Sequence, residues 1–374
     1  MALGRAFVLL VCLAALAASA DHPTIAIPPG LKLASGKRIW ETACAACHGS
    51  DGKGTPKALA GFDQPRTFPD FTRCDQTTSE LDNDYRAIIT NGGPFRGFSQ
   101  IMPAFRQALT PKQINQLIEY LRGFCDASGW PRGELNLPRA LVTEKAFPEN
   151  ETVLTSALNA GGAPGVANDI IEENRFGKHD EIEIDVPVNF IHPEHTWYGG
   201  FGDASLGLKH EFFSNSRTGS IFAAQGEIIL PTGSTAHGIG SGTPSFATFA
   251  AFDQLFPTNT FFQVQAGTQQ PFDTSKAPRT FFWYNAVGQE LYQSHGLGRM
   301  WSPMVEFLAD RDFLPGAKMN WDVMPEMQVT VSRRQHIRFD VGVRIPATNT
   351  AGRDPQVLFY VLWDWQDGRL TEGW

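Results

Sequence analysis

Basic residues are in short supply in this chain: 31 Lys and Arg stand against 39 Asp and Glu, for a net charge of −8 at pH 7. A surface of that sign repels a phosphate backbone, which excludes nucleic acid as a partner. Charged residues of all kinds make up only 19% of the chain, too few for a long coiled coil. Cysteine is scarce as well, with five in 374 residues, so this is no disulfide-stapled miniprotein. Beyond the first twenty residues there is no apolar run long enough to cross a bilayer as a helix. No Ser-His-Asp constellation, phosphate-cradling glycine loop or nucleotide fingerprint stands out. What is abundant is 36 Gly, 25 Pro, 28 Phe and 9 Trp, the make-up of a turn-rich, aromatic-rich β protein. The length fits two domains, or one large β domain with a smaller companion.

The first residues read as an address. Arg5 precedes an apolar run over residues 6–18, and Ala18-Ser19-Ala20 supplies small residues at the two positions signal peptidase requires. A signal peptide over 1–20 and a mature chain starting at Asp21 are expected. The apolar run is shorter than the roughly 20 residues a membrane anchor needs. Val11 stands where a lipoprotein cleavage before Cys12 wants a small residue. Export places the remaining thiols in an oxidising compartment.

Those thiols are Cys44, Cys47, Cys74 and Cys125, and the first two lie in Thr42-Ala43-Cys44-Ala45-Ala46-Cys47-His48. Two thiols separated by a turn add across the two vinyl groups of a haem, and the adjoining histidine then lies below the iron. A thioredoxin-like pair wants a βαβ setting and a zinc site a second C-x-x-C, and neither is there. One covalently attached haem c is therefore expected, with His48 as an iron ligand. The surroundings read as helices. Thr110-Pro111-Lys112-Gln113 gives an N-cap, a first-turn proline and a capping-box Gln ahead of Ile114, Leu117, Ile118, Leu121 and Phe124. Ser35 caps a helix bearing Gly36 and Trp40 on one face, for which Leu117 and Tyr120 offer a crossing surface. A third helix is predicted over residues 79–91, stopped by Gly92-Gly93. Cys74 and Cys125 have no part in haem attachment; a disulfide tying the last helix to the central loop is the expectation, and two unpaired buried thiols the alternative.

Through Cys44-Ala45-Ala46-Cys47-His48-Gly49-Ser50-Asp51-Gly52-Lys53-Gly54 and Gln100-Ile101-Met102-Pro103-Ala104-Phe105, residues 31–125 resemble the class I c-type cytochromes. The resemblance implies an all-α domain with Met102 as sixth iron ligand. A His48/Met102 pair implies a reduction potential above that of a bis-histidine haem, suited to electron transfer.

Past a linker at 126–140 the period changes from helical to two. Residues 181–190 place Ile182, Ile184, Val186, Val188 and Phe190 on one side and Glu181, Glu183 and Asp185 on the other. Residues 206–212, 327–332 and 337–345 repeat the pattern. About ten to twelve such segments fill 141–374, each near the 9 to 11 residues that cross a bilayer when tilted. Charges such as Glu181, Glu183, Asp185, Arg338, Asp340 and Arg344 fit a solvated lumen, while Tyr360, Trp363 and Trp365 fit an interfacial girdle. Alternation alone is equally that of a soluble β-sandwich. Gly199-Gly200-Phe201-Gly202-Asp203, Ile228-Ile229-Leu230-Pro231-Thr232-Gly233, Gly240-Ser241-Gly242-Thr243-Pro244 and Val343-Arg344-Ile345-Pro346 are similar to outer-membrane transporter-like proteins associated with aromatic-compound degradation, a family of small barrels. Together the halves resemble cytochrome-porin fusions of outer-membrane electron transfer, which include iron-oxidising examples. That implies an antiparallel barrel in outer-membrane lipid, a haem domain capping its periplasmic mouth, and a periplasmic or extracellular redox partner. The other readings are a porin for hydrophobic or aromatic compounds with the haem domain as plug or redox gate, and a soluble periplasmic electron carrier. No catalytic site for substrate turnover is visible, though direct oxidation of a small donor such as ferrous iron fits the same haem.

Overall fold

The computed structural model describes residues 33–56, 61–65, 68–192, 195–292 and 300–364. The expected signal peptide, His295, Trp365 and Trp374 lie outside them.

A small helical unit comes first. Ser35 accepts from the Arg38 N–H at 3.3 Å and starts a helical run, Gly36–Ile39, Trp40–Cys44 and Ala45–His48, whose middle turn is π-wound. The helix Pro111–Arg122 has the complete capping box expected of Thr110 and Gln113 and buries Ile114, Leu117, Ile118 and Leu121. The two cross where a glycine is obligatory: a Cβ on Gly36 would lie 1.9 Å from the Gln116 carbonyl oxygen and 2.8 Å from Tyr120 Cβ. The third helix, Asp82–Asn91, ends at Gly92, whose φ is +84°. It starts three residues later than expected because Cys74–Thr77 forms a separate turn of helix before it. Cys74 and Cys125 are joined in a disulfide with Cα atoms 5.5 Å apart.

Among the described residues fourteen strands follow: β1 (Asn150–Asn159), β2 (Gly165–Phe176), β3 (Asp180–Ile191), β4 (Tyr198–Phe201), β5 (Ser205–Asn215), β6 (Ser220–Ile229), β7 (Ser245–Leu255), β8 (Thr260–Pro271), β9 (Thr280–Gln289), β10 (Leu291–Tyr292), β11 (Met300–Asp312), β12 (Asn320–Thr330), β13 (Ile337–Pro346) and β14 (Gln356–Asp364). The short β4 and β10 extend their neighbours. The other twelve pair antiparallel in a circuit that β1 and β14 close along residues 151–159 and 356–364. A circuit without edges is a barrel, so the sandwich alternative is excluded. Its two faces differ as the alternation requires. In β3 Glu181 and Glu183 are 0% and 7% exposed, whereas Ile182 and Ile184 are 40% and 44% exposed. Leu206, Leu208 and Phe212 of β5 exceed 50%. A continuous outer belt of Leu, Ile, Val and Phe is one that lipid solvates and water does not.

Two expectations about the interior need correction. The lumen is filled by the chain itself over much of its length. The chain leaves the helical unit at Arg132, and residues 133–149 run inside the barrel before β1 begins at Asn150, so the last eight residues of the stretch read as a linker and the nine after it form an internal strap. Because the strap has little regular structure, its N–H groups need partners, and the inward carboxylates and amides supply them. Leu141 N donates to Glu326 at 3.2 Å, Val142 N to Glu306 at 3.0 Å, Glu144 N to Gln265 at 3.2 Å and Ala146 N to Asp253 at 2.8 Å. Arg139 Nη1 lies 3.0 Å from Glu151 and 2.9 Å from Glu173, and Lys209 Nζ lies 2.8 Å from Glu181. Leu135 and Phe147 pack against Ile221, Ala223 and Phe249, and Leu137 against Phe261 and Met304. The second correction is Tyr360, which is 1% exposed and donates its hydroxyl to the Arg139 carbonyl at 2.7 Å inside the lumen. In the all-apolar β14 nothing in the sequence marks the inward face.

The helical unit docks at the barrel end where β1 starts and β14 finishes. The Arg175 guanidinium lies 4.9 Å from the Trp130 ring. Lys178 Nζ donates to the Ser128 carbonyl at 2.6 Å, and Arg334 Nη2 to the Gly97 carbonyl at 3.3 Å.

Candidate haem site

Cys44, Cys47, His48 and Met102 line one cavity of about 630 Å³ in the helical unit. The first three come from the end of the helical run, where the chain folds back on itself: Gly54 N donates to His48 O at 2.9 Å, Thr55 N to Cys47 O at 3.0 Å and Thr55 Oγ1 to Ala46 O at 2.8 Å. Met102 comes from the loop after Asp82–Asn91. That loop is fixed by Gly93 N donating to Met102 O at 3.0 Å and Phe105 N to Ile89 O at 2.9 Å.

The walls are aromatic and aliphatic. Phe68 stacks on the His48 ring with centroids 5.0 Å apart, Phe71 lies at 5.5 Å and Trp40 at 5.9 Å. Trp40 is held by donating its indole N–H to the Gly49 carbonyl at 3.1 Å and by packing on Phe124 at 4.7 Å. Burial pushes the His48 imidazole down to about 4 and the Cys44 thiol up to about 12. Burial thus favours the neutral imidazole that ligates metals and the un-ionised Cys44 thiol. His48 Nδ1 is buried and has no hydrogen-bond partner. A hollow of this size beside an orphaned imidazole and two thiols a turn apart fits a covalently bound haem. Cys44, Cys47, His48 and Met102 are the residues that would hold it.

Arg96 and Arg334 also line the cavity. Neither was singled out in the sequence, because neither belongs to the C-x-x-C-H run and Arg334 arrives from the barrel. Arg96 is buried and paired with Asp84 at 3.0 Å. His179, His192, His195, His210 and His237 do not line this cavity. His179 pairs with Glu211, His210 with Asp180 at 2.7 Å, and His237 stacks on Tyr198. His192 and His195 have ring centroids 6.3 Å apart, and Glu194 between them lies outside the described residues. Among the described residues one carboxylate trio, Glu144, Glu173 and Glu183, brings ligand atoms within 4.8 Å of one another. Arg139 already bridges Glu144 and Glu173 there.

Residues 32–121 match the family model for cytochrome C oxidase, cbb3-type, subunit III. This stretch is a c-type cytochrome domain, and such a domain implies covalently attached haem c. The barrel is similar in solved structures to the KdgM porin (6% identity, 57% of this chain and 99% of that one, TM-score 0.38) and to the NanC porin (8%, 57% and 98%, 0.40). It is also similar to the COG4313 outer membrane channel from Pseudomonas putida F1 (12%, 61% and 99%, 0.39). No curated protein matches the chain. The chain is a cytochrome c domain followed by a closed twelve-strand β-barrel.

Proposed function

We propose that this chain is an outer-membrane monohaem cytochrome that passes single electrons, with His48 and Met102 as axial ligands and the barrel as its membrane anchor. The observation that carries the reading is the convergence of Cys44, Cys47, His48 and Met102 on one apolar cavity. Haem c bound there supplies a one-electron ferric/ferrous couple. The chain's own part is to tune that couple. Met102 offers a neutral thioether, and Trp40, Phe68 and Phe71 exclude water, both of which penalise the extra positive charge of the oxidised state. An outer belt of exposed apolar residues on a closed barrel supports outer-membrane lipid as its surroundings. The strap at 133–149 supports an anchor over an open pore for hydrophobic or aromatic compounds.

The test is haem-stained electrophoresis of outer-membrane and periplasmic fractions, boiled and unboiled. A haem band in the outer membrane that shifts on heating is expected; a periplasmic band that does not shift overturns the proposal. Met102→Ala should abolish the methionine-to-iron charge-transfer band of the ferric protein while leaving the haem attached. The donor is a protein or a small reductant such as ferrous iron. Stopped-flow mixing of the oxidised protein with a ferrous salt separates the two, since reduction without any added protein requires the second.

A further inference from the structure

We propose that the barrel sets the reduction potential of the haem through Arg334. This residue, on the turn between β12 and β13, lines the haem cavity from outside the cytochrome domain and grips the loop that carries Met102. The inference rests on the electron-transfer reading above. Three observations carry it. Arg334 is among the residues enclosing the cavity. Its Nη2 donates to the Gly97 carbonyl at 3.3 Å, and its guanidinium carbon lies 4.5 Å from the Phe98 ring centroid. The two surfaces also lie close, with room for little more than a methyl between them: a Cβ on Gly97 would meet Arg333 Cβ at 3.5 Å and Arg334 Cγ at 3.8 Å.

Gly97 and Phe98 belong to the same short loop as Met102. Phe98 N donates to Gly93 O at 2.9 Å, Gly93 N to Met102 O at 3.0 Å and Met102 N to Ser99 O at 3.3 Å. A hold on Gly97 and Phe98 is therefore a hold on the segment that positions the sulfur. Arg334 acts by a second route as well. A guanidinium stays charged at every pH the protein meets, and a positive charge on the wall of a low-dielectric cavity disfavours the oxidised, more positive state of the couple. Arg334 is a positioning and tuning residue, and its action ties the potential to the docking of the haem domain on the barrel.

The experiment is an optical redox titration of the full-length protein in detergent, following the haem bands, for wild type, Arg334→Gln, Arg334→Lys and Arg333→Gln. Haem staining and the heat-dependent electrophoretic shift confirm that each variant is loaded and folded. Arg334→Gln should shift the equilibrium about tenfold toward the oxidised form at a given solution potential, equivalent to about 59 mV for one electron. Arg334→Lys keeps the charge and loses the planar fork: recovery of the potential assigns the effect to charge, and no recovery assigns it to the grip on Gly97. Arg333 is exposed, so Arg333→Gln should leave the potential unchanged. A potential in Arg334→Gln equal to that of wild type, or an equal fall in Arg333→Gln, overturns the inference. Absence of any reversible haem reduction in the wild type would instead count against the electron-transfer reading itself.

Discussion

The haem cavity is walled mainly by apolar residues such as Trp40, Phe71, Leu117 and Leu121, with His48, Asp84, Arg96 and Arg334 at its polar margins, whereas the barrel lumen buries Glu151, Glu173, Glu181, Asp253, Glu306 and Asp340, none with any exposed surface. Both are interiors, yet they are stabilised in opposite ways. The cavity gains from excluding water and is completed by a guest, because the residues around it leave about 630 Å³ to fill. The lumen is completed by the chain itself. Glu151, Glu173, Glu181, Asp253 and Glu306 each find an N–H group or a cation of residues 133–149, so these charges become structural because the strap is threaded between them. An apolar cavity tolerates small changes in its wall and fails when the guest is lost. A charged interior fails when a single partner is removed.

The largest effect should come from denying the cavity its guest. Cys44→Ser with Cys47→Ser removes both covalent links. The hollow of about 630 Å³ then lacks the apolar group that fills it and ties its walls together, a loss on the scale of the whole stability of a small domain. The haem stain on denaturing gels should vanish and the helical unit should become sensitive to protease, while the barrel keeps its heat-dependent shift. A helical unit that stays resistant would show that its cavity closes by itself. The lumen should break at Arg139. Arg139→Ala leaves Glu151 and Glu173 buried without their guanidinium, a change of about 3 to 5 kcal/mol. The strap should loosen, which planar-bilayer conductance would register as openings that the wild type lacks. Unchanged conductance would mean that the apolar anchors Leu135, Leu137 and Phe147 hold the strap alone. Third comes the disulfide. Replacing Cys74 and Cys125 by Ser frees a link across 51 residues and should cost about 2 to 4 kcal/mol. The loss should be confined to the helical unit and read as earlier loss of its circular dichroism in denaturant.

How much of this was legible follows the same division. The C-x-x-C-H run, the capped helix at Pro111–Arg122 and the Gly36 crossing lie in short motifs, because attachment chemistry and helix capping act over a few residues. The barrel was legible in β3 and β13, where polar and apolar residues alternate, and illegible in β14, where Leu358, Tyr360 and Leu362 make the inward face apolar too. The strap could not be read at all. Residues 133–149 carry no period, and their role depends on carboxylates such as Glu306 and Glu326, more than 160 residues away. Arg334 escaped for the same reason, since the contact with Gly97 spans 237 residues.

The smallest effect sharpens the comparison most, because it tests whether the two units melt independently. Thr110 Oγ1 accepts from Gln113 N at 3.3 Å, Thr110 N donates to Gln113 Oε1 at 2.9 Å, and Gln113 Nε2 reaches the Leu33 carbonyl at 3.1 Å. Thr110→Ala removes the first of these bonds and the hydroxyl's own bond to Gln113 Oε1 at 3.0 Å, for a loss of about 1 kcal/mol. In a domain of the cytochrome's size that is a fall in melting temperature of about 4 to 8 °C. Absorbance of the haem should report that fall while the temperature of the barrel's electrophoretic shift stays where it was. Equal shifts in both would mean that docking through Arg175, Lys178 and Arg334 couples the two units into one cooperative transition.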